Sequence, residues 1–131
     1  MKRGYVCLND NIFSTLLAIT AEEQSKGLMH QKEPLVMSFI YPAPCINKFW
    51  MHQTPNPLDI VFCCDGRVSQ ICYGEPYSTR IIGSDAYSDL IVEFPLGTTS
   101  SIGLKVGHSA ELIEPNSREL KKILARHSFS F

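Results

Sequence analysis

Phe49-Trp50-Met51-His52-Gln53-Thr54-Pro55-Asn56-Pro57-Leu58-Asp59-Ile60-Val61-Phe62 is the stretch that decides how this chain folds. Its second half, Leu58 to Phe62, is apolar apart from Asp59 and rich in β-branched and aromatic residues. That is the composition of a strand buried on both faces. The run continues through Cys63-Cys64 to Asp65-Gly66, a dipeptide that tolerates positive φ and so marks a hairpin turn. Arg67 to Tyr73 reads as the returning strand, with Val68 and Gln70 facing one way and Ser69 and Ile71 the other. Lys48 to Gln53 reads as a further strand that places Trp50 and His52 on one face.

Working outward, Phe13 to Thr20 reads as a first strand. Thr20-Ala21-Glu22-Glu23 matches a capping box, in which the Thr20 hydroxyl accepts from the Glu23 backbone N–H while the Glu23 carboxylate reaches back. A short helix, Ala21 to Lys26, follows, and Gly27 ends it. Leu35 to Tyr41 reads as a strand closed by Pro42-Ala43-Pro44, Tyr87 to Phe94 as another and Ala110 to Glu114 as the last. Asn116 is placed to cap a closing helix over about 117–127, with Leu120, Ile123, Leu124 and His127 on one face. Beyond it lies an apolar tail, Ser128 to Phe131. The expected architecture is mainly β: one domain over 1–131, a sandwich or barrel of about seven or eight short strands with a short N-terminal and a C-terminal helix.

Composition narrows the function classes. A chain of 131 residues suits one domain, and 44% apolar against 19% charged residues reads as globular. Twelve basic and thirteen acidic residues leave a net charge of −1, with no electrostatic footprint for nucleic acid or anionic lipid. No run reaches the roughly 18 apolar residues of a membrane-spanning helix. Asn9, Asp10 and Asn11 interrupt any signal-peptide core, so the expectation is a chain without a signal peptide, cytoplasmic or part of a virion. Five cysteines occur without a Cys-x-x-Cys, and four histidines without metal-ligand spacing. The expectation is free thiols, no metal and no cofactor.

Several of these residues also carry a likeness. Ala18-Ile19-Thr20-Ala21-Glu22-Glu23-Gln24-Ser25-Lys26-Gly27-Leu28-Met29, then Phe49-Trp50-Met51 and Pro57-Leu58-Asp59-Ile60-Val61-Phe62, resemble the domain of unknown function 192 family, also called uncharacterised protein family 127. Val92-Glu93-Phe94 and Gly103-Leu104-Lys105-Val106-Gly107 echo its later stretch, so the resemblance covers about residues 14–108. It implies a small jelly-roll-like β-sandwich with no established reaction, in the short form found among bacteriophage proteins. The chain departs from the family pattern where an Arg is replaced by Gln31, a Gly by Val36, Lys-Asn by His52-Gln53 and an Asp by His108.

The candidate chemistry has competing readings. Asp59 on an apolar strand is either a general acid or base, or a structural acceptor for backbone N–H groups in the Thr54-to-Pro57 loop. Trp50 and His52, with Gln53 beside them, are either a stacking surface for a sugar or small ligand, or the packed aromatic centre of the core. Cys63 or Cys64 beside a histidine is a conceivable nucleophile pair. Phe129 and Phe131 are partner anchors or fold back on the core.

Three functions follow in order of expectation. The first is a non-catalytic structural or protein-interaction module contacting other protein subunits, in its most specific form an accessory bacteriophage virion component. The second is a small-ligand or carbohydrate-binding module using Trp50, His52, Gln53 and Asp59. The third is a hydrolase using Asp59 with His52 or a cysteine.

Overall fold

The computed structural model describes residues 1–83 and 85–113, together with residues 118, 121, 122 and 125. Along the described chain run β1 (Lys2–Leu8), β2 (Asn11–Ala18), α1 (Ala21–Lys26), β3 (Met37–Ile46), β4 (Leu58–Cys64), β5 (Arg67–Gly74), β6 (Tyr87–Pro95), α2 (Thr98–Ser101) and β7 (Ala110–Ile113). The architecture is mainly β. All seven strands join one sheet in the order β5-β4-β6-β3-β2-β1-β7. Only the β2–β3 pair is parallel; the others are antiparallel.

The sheet curls into half a barrel. At one end its two edges meet: Val68 N–H donates to His108 C=O at 2.8 Å, Gly107 N–H to Val68 C=O at 2.8 Å, and Ala110 N–H to Gly66 C=O at 2.9 Å. Val6 of β1 and Val61 of β4 stand four places apart in the strand order, yet share one buried cluster with Leu8, Val92, Phe94 and Leu104. The curl brings them together, because apolar surface on a twisted sheet is removed from water by closing the sheet on itself.

The other face carries a second cluster, Ala18, Leu28, Met37, Phe39, Met51, Leu58, Ile60, Phe62 and Ile91. Three connecting segments cover it, over residues 19–36, 47–57 and 75–83. Strand parity explains the split. Leu58, Ile60 and Phe62 of β4 point to the second cluster, while Val61 and Cys63 point to the first. Both faces are therefore buried, which is why β4 reads as a continuous apolar run.

The structure departs from the sequence reading at several places. The sequence reading assigns no element before Phe13, yet Lys2–Leu8 forms β1, and Asn9 and Asp10 adopt positive φ (47° and 67°) and form the two-residue turn of a β1–β2 hairpin. Lys48 to Gln53 is not a strand. Its backbone bonds instead to the 75–83 segment, Phe49 with Ile82 in both directions and Met51 N–H to Ser78 C=O at 2.9 Å. β3 runs through Pro42 and Pro44 to Ile46, because a register shift between Ile40 and Cys45 lets the prolines stand out of the ladder. In β5, Val68 and Ile71 pack against the same cluster rather than opposite faces. Ser69 is the extra residue of a bulge opposite Phe62–Cys63, and its hydroxyl donates to Phe62 C=O at 3.0 Å. Gly97 to Ser101, to which the sequence reading assigns no element, contains α2. Residues 118, 121, 122 and 125 are helical, and the remainder of the expected C-terminal helix lies outside the described residues, as do Phe129 and Phe131. Among the described residues no helix is long and apolar enough to cross a membrane.

Candidate ligand-binding cleft

On the second face a cleft of about 330 Å³ opens between α1 and the 47–57 segment. That lies within the usual range for a small-molecule site. The local sequence builds each wall. The capping box of α1 forms as the spacing predicts, Glu23 N–H donating to Thr20 Oγ1 at 3.1 Å and Thr20 N–H to Glu23 Oε1 at 3.0 Å. The backbone N–H groups of Thr20 and Ile19, both donating to Glu23 Oε1, hold the Glu23 carboxyl below the usual carboxylate range. Gln24 Nε2 donates to Ala18 C=O at 3.1 Å and Ile40 C=O at 3.0 Å, which fastens the helix over β3. Gly27 ends the helix at φ +50° and leaves the cleft floor open beneath it.

The opposite wall is Phe49, Trp50 and His52. Asn47 fixes its entry: its Nδ2 donates to Cys45 C=O and to Ser88 C=O and Oγ at 2.9–3.1 Å. Met51, fully buried, plugs the segment onto the sheet against Gly74. This throws Trp50 outward, 49% exposed, and the indole stacks on His52 with ring centroids 4.7 Å apart and planes 27° apart. The reading of Trp50 as the packed core aromatic is thereby corrected: Met51 holds that place.

The floor is Phe39, Tyr41 and Glu93. Glu93 sits on β6 opposite Met37 of β3 and Ile60 of β4 and is 5% exposed. Its Oε1 has no hydrogen-bond partner among the described residues. Burial pushes its carboxyl up to about 8, so it is largely protonated at neutral pH. Burial first, then the charges of Cys45 and Glu93, push the Tyr41 phenol up to about 12.

Of the four candidate ligand residues, the structure brings two together. Trp50 and His52 share the cleft. Gln53, at φ +51°, turns away toward His30, Lys32, Pro55 and Tyr77, and its C=O accepts from His30 N–H at 2.8 Å. Asp59 alternates with Leu58 and Ile60 and so lies on the opposite face of the sheet. Its Oδ2 accepts from Gly97 N–H at 3.1 Å, Thr99 N–H at 3.0 Å and Thr99 Oγ1 at 2.9 Å. The acceptor role is right in kind, but the partners are α2 and its approach rather than the Thr54-to-Pro57 loop. Asp59 and His52 therefore do not form a catalytic pair.

Glu93 is the residue that the sequence reading passed over. Its signal was present: one carboxylate at an odd position in Leu90-Ile91-Val92-Glu93-Phe94, on a strand buried on both faces.

Cys45, Cys63, Cys64 and Cys72 are free thiols, Cys63 buried and the other three partly so. Burial, then Asp89 and Cys64, push the Cys63 thiol up to about 12, which leaves it protonated and a weak nucleophile. Cys64, Asp65 and Asp89 bring their ligand atoms within 4.8 Å of one another, the metal-like grouping among the described residues. Burial and the two carboxylates push the Cys64 thiol up as well, away from the thiolate form that binds metal.

The family model described as "Uncharacterized ACR", domain of unknown function 192 (DUF192), matches residues 6–112. The chain belongs to the DUF192 family. Two solved structures share its fold. One is from Sinorhizobium meliloti 1021, described as "a putative transcription regulator": 25% identity, TM-score 0.80, covering 85% of this chain and 94% of that one. The other is a protein of unknown function from Novosphingobium aromaticivorans DSM 12444: 30% identity, TM-score 0.74, covering 83% of each chain. No curated protein matches this DUF192 chain. At the departures noted above, His52 of this DUF192 chain stacks on Trp50, and His108 Nδ1 accepts from Lys105 N–H at 3.0 Å, an acceptor task that a carboxylate also performs.

Proposed function

We propose that this DUF192 protein is a small-ligand-binding module whose site is the cleft between α1 and the Phe49–His52 wall. One observation carries the reading. Glu93 is a buried, titratable side chain in the lining of an open cleft that the exposed indole of Trp50 also lines, and its buried Oε1 has no hydrogen-bond partner among the described residues. An unsatisfied buried polar atom costs on the order of 1–3 kcal/mol, and a bound polar ligand removes that cost. Open clefts with convergent polar groups and perturbed titration are where ligands bind.

Trp50 is the single tryptophan of the chain, so its fluorescence reports on this cleft alone. Titration against neutral sugars, polyols and charged metabolites should move its emission for at least one class. No response from any class would refute the reading.

A second reading is the protein-interaction module, in its most specific form an accessory virion component. It is supported by exposed Tyr73 and Ile81, which line one surface depression beside β5, at one edge of the sheet. Large exposed apolar side chains grouped in this way mark contact surfaces. Sizing of the purified chain against Ile81→Lys tests it: a larger species lost in the variant supports contact through this edge, and a monomer in both refutes it.

A further inference from the structure

The cleft is ordered by charge along its depth. At its mouth stand two cations: Lys26, exposed in the last turn of α1, and Lys48, half exposed with its Nζ 3.4 Å from Asp85 Oδ1. At its floor stands one acid, Glu93, with no compensating cation beside it: the sole ion pair among the described residues is that between Lys48 and Asp85. Between them the walls are aromatic, Phe39, Tyr41, Phe49 and Trp50. Aromatic faces attract cations through their quadrupole, the indole most strongly. A carboxyl in such a place is protonated when alone and ionises when a cation arrives to pair with it.

We infer that the ligand of this cleft is a zwitterion, an organic ammonium that also carries an anionic group. The ammonium enters between the aromatic walls to meet Glu93, and the anion stays at the mouth with Lys26 and Lys48. The inference rests on the proposed ligand-binding reading and names its substrate class. A neutral sugar would use the aromatic wall equally well but would leave the mouth-to-floor charge order without a purpose.

Binding releases a proton, since Glu93 passes from carboxylic acid to carboxylate as the ammonium seats. No covalent step is involved. The titratable groups that face Glu93 across the cleft are Lys26 from α1, Tyr41 from β3, and Lys48 and His52 from the 47–57 segment; β4 presents apolar Ile60.

The test uses the full chain and follows Trp50 emission and calorimetry. One probe set comprises α- and ω-amino acids and glycine betaine. Its control is 3,3-dimethylbutanoate, which has the shape of glycine betaine with carbon in place of the charged nitrogen. A second set comprises neutral sugars and polyols. The inference expects glycine betaine or another zwitterion to bind at least tenfold more tightly than its counterpart with carbon in place of the charged nitrogen. Its binding heat should vary with the buffer's ionisation heat, and its affinity should rise from pH 6 to pH 8. Glu93→Gln, which keeps shape and hydrogen bonding but cannot ionise, should weaken it at least tenfold. Lys26→Met with Lys48→Met should erase the preference for zwitterions over choline.

Equal binding of 3,3-dimethylbutanoate, or undiminished binding by Glu93→Gln, overturns the inference. Binding of sugars with no zwitterion response also overturns it while leaving the ligand-binding reading intact. Silence from both sets overturns both.

Discussion

Glu93 Oε1 lies directly beneath Gly27: a β-carbon added to Gly27 would stand 3.9 Å from that oxygen and 3.5 Å from Phe39 Cζ. The glycine thus serves two purposes. Its φ of +50° ends α1, and its missing side chain leaves the space over Phe39 and Glu93 unfilled. Gly27→Leu is expected to close the cleft over Glu93. Trp50 emission should then no longer respond to any ligand of the wild-type chain. The strained φ should lower stability by about 1 kcal/mol, measured by urea unfolding. A retained ligand response would show that the ligand enters elsewhere.

Glu93 sets a pH dependence whose sign can be worked out. Its carboxyl titrates near 8 when folded, against 4.5 for an ordinary glutamate. The unfolded chain therefore gives up this proton at lower pH than the folded one. The folded state keeps its full contribution below about pH 4.5 and loses stability progressively up to about pH 8, after which the loss is constant. Glu93→Gln removes the titration. The variant should be more stable than the wild type at pH 8, by roughly 1–3 kcal/mol, with the difference shrinking toward pH 5. Urea unfolding across this range reads it directly, and parallel curves for the two proteins would show that Glu93 does not titrate there.

Asp59 makes the opposite kind of prediction. Its Oδ2 accepts three hydrogen bonds from Gly97 and Thr99, all on the face away from the cleft. Asp59→Ala strands those donors and should cost about 2–4 kcal/mol, since bonds to a charged acceptor are the stronger ones. Ligand-induced change in Trp50 emission should persist at temperatures where the variant remains folded. Loss of that response in a folded Asp59→Ala protein would place Asp59 in function after all.

Trp50 should matter little to folding. Half its surface is exposed and its stacking partner is His52. Trp50→Ala is expected to change stability by less than about 1 kcal/mol while abolishing ligand binding measured by calorimetry. A loss of several kcal/mol would restore the tryptophan to the core.

Met51 and Gly74 form the matching structural pair. A β-carbon on Gly74 would approach Met51 Sδ to 2.6 Å and Ile60 Cδ1 to 3.2 Å. Gly74→Ala should therefore cost about 1–3 kcal/mol, the usual penalty of overpacking, read in the melting temperature. Met51→Ala combined with Gly74→Ala should recover part of the Gly74→Ala clash, and strict additivity of the two losses would mean the residues do not touch.

What the sequence determined by itself was local. Leu58 to Cys64 appears as β4 with the expected bounds, because a run apolar at every position but Asp59 has few alternatives to a strand buried on both faces. Thr20 and Glu23 close their capping box, and Asp65-Gly66 makes its turn, because each depends on residues no more than three apart. The family was legible as well, since it rests on residue identity along the chain. The tertiary structure decided what depended on partners distant in sequence. Phe49 spends its backbone bonds on Ile82, so Lys48 to Gln53 leaves the sheet. Met51 takes the core place that Trp50 was read to hold, because Gly74 leaves room for it. Asp59 and Glu93 look alike in sequence, one acid each in an apolar strand. Asp59 meets α2 and is satisfied, while Glu93 meets an open cleft and is not. The difference between a structural acid and a candidate site lay in which face of the curled sheet each one reached, and closure of the whole sheet sets that.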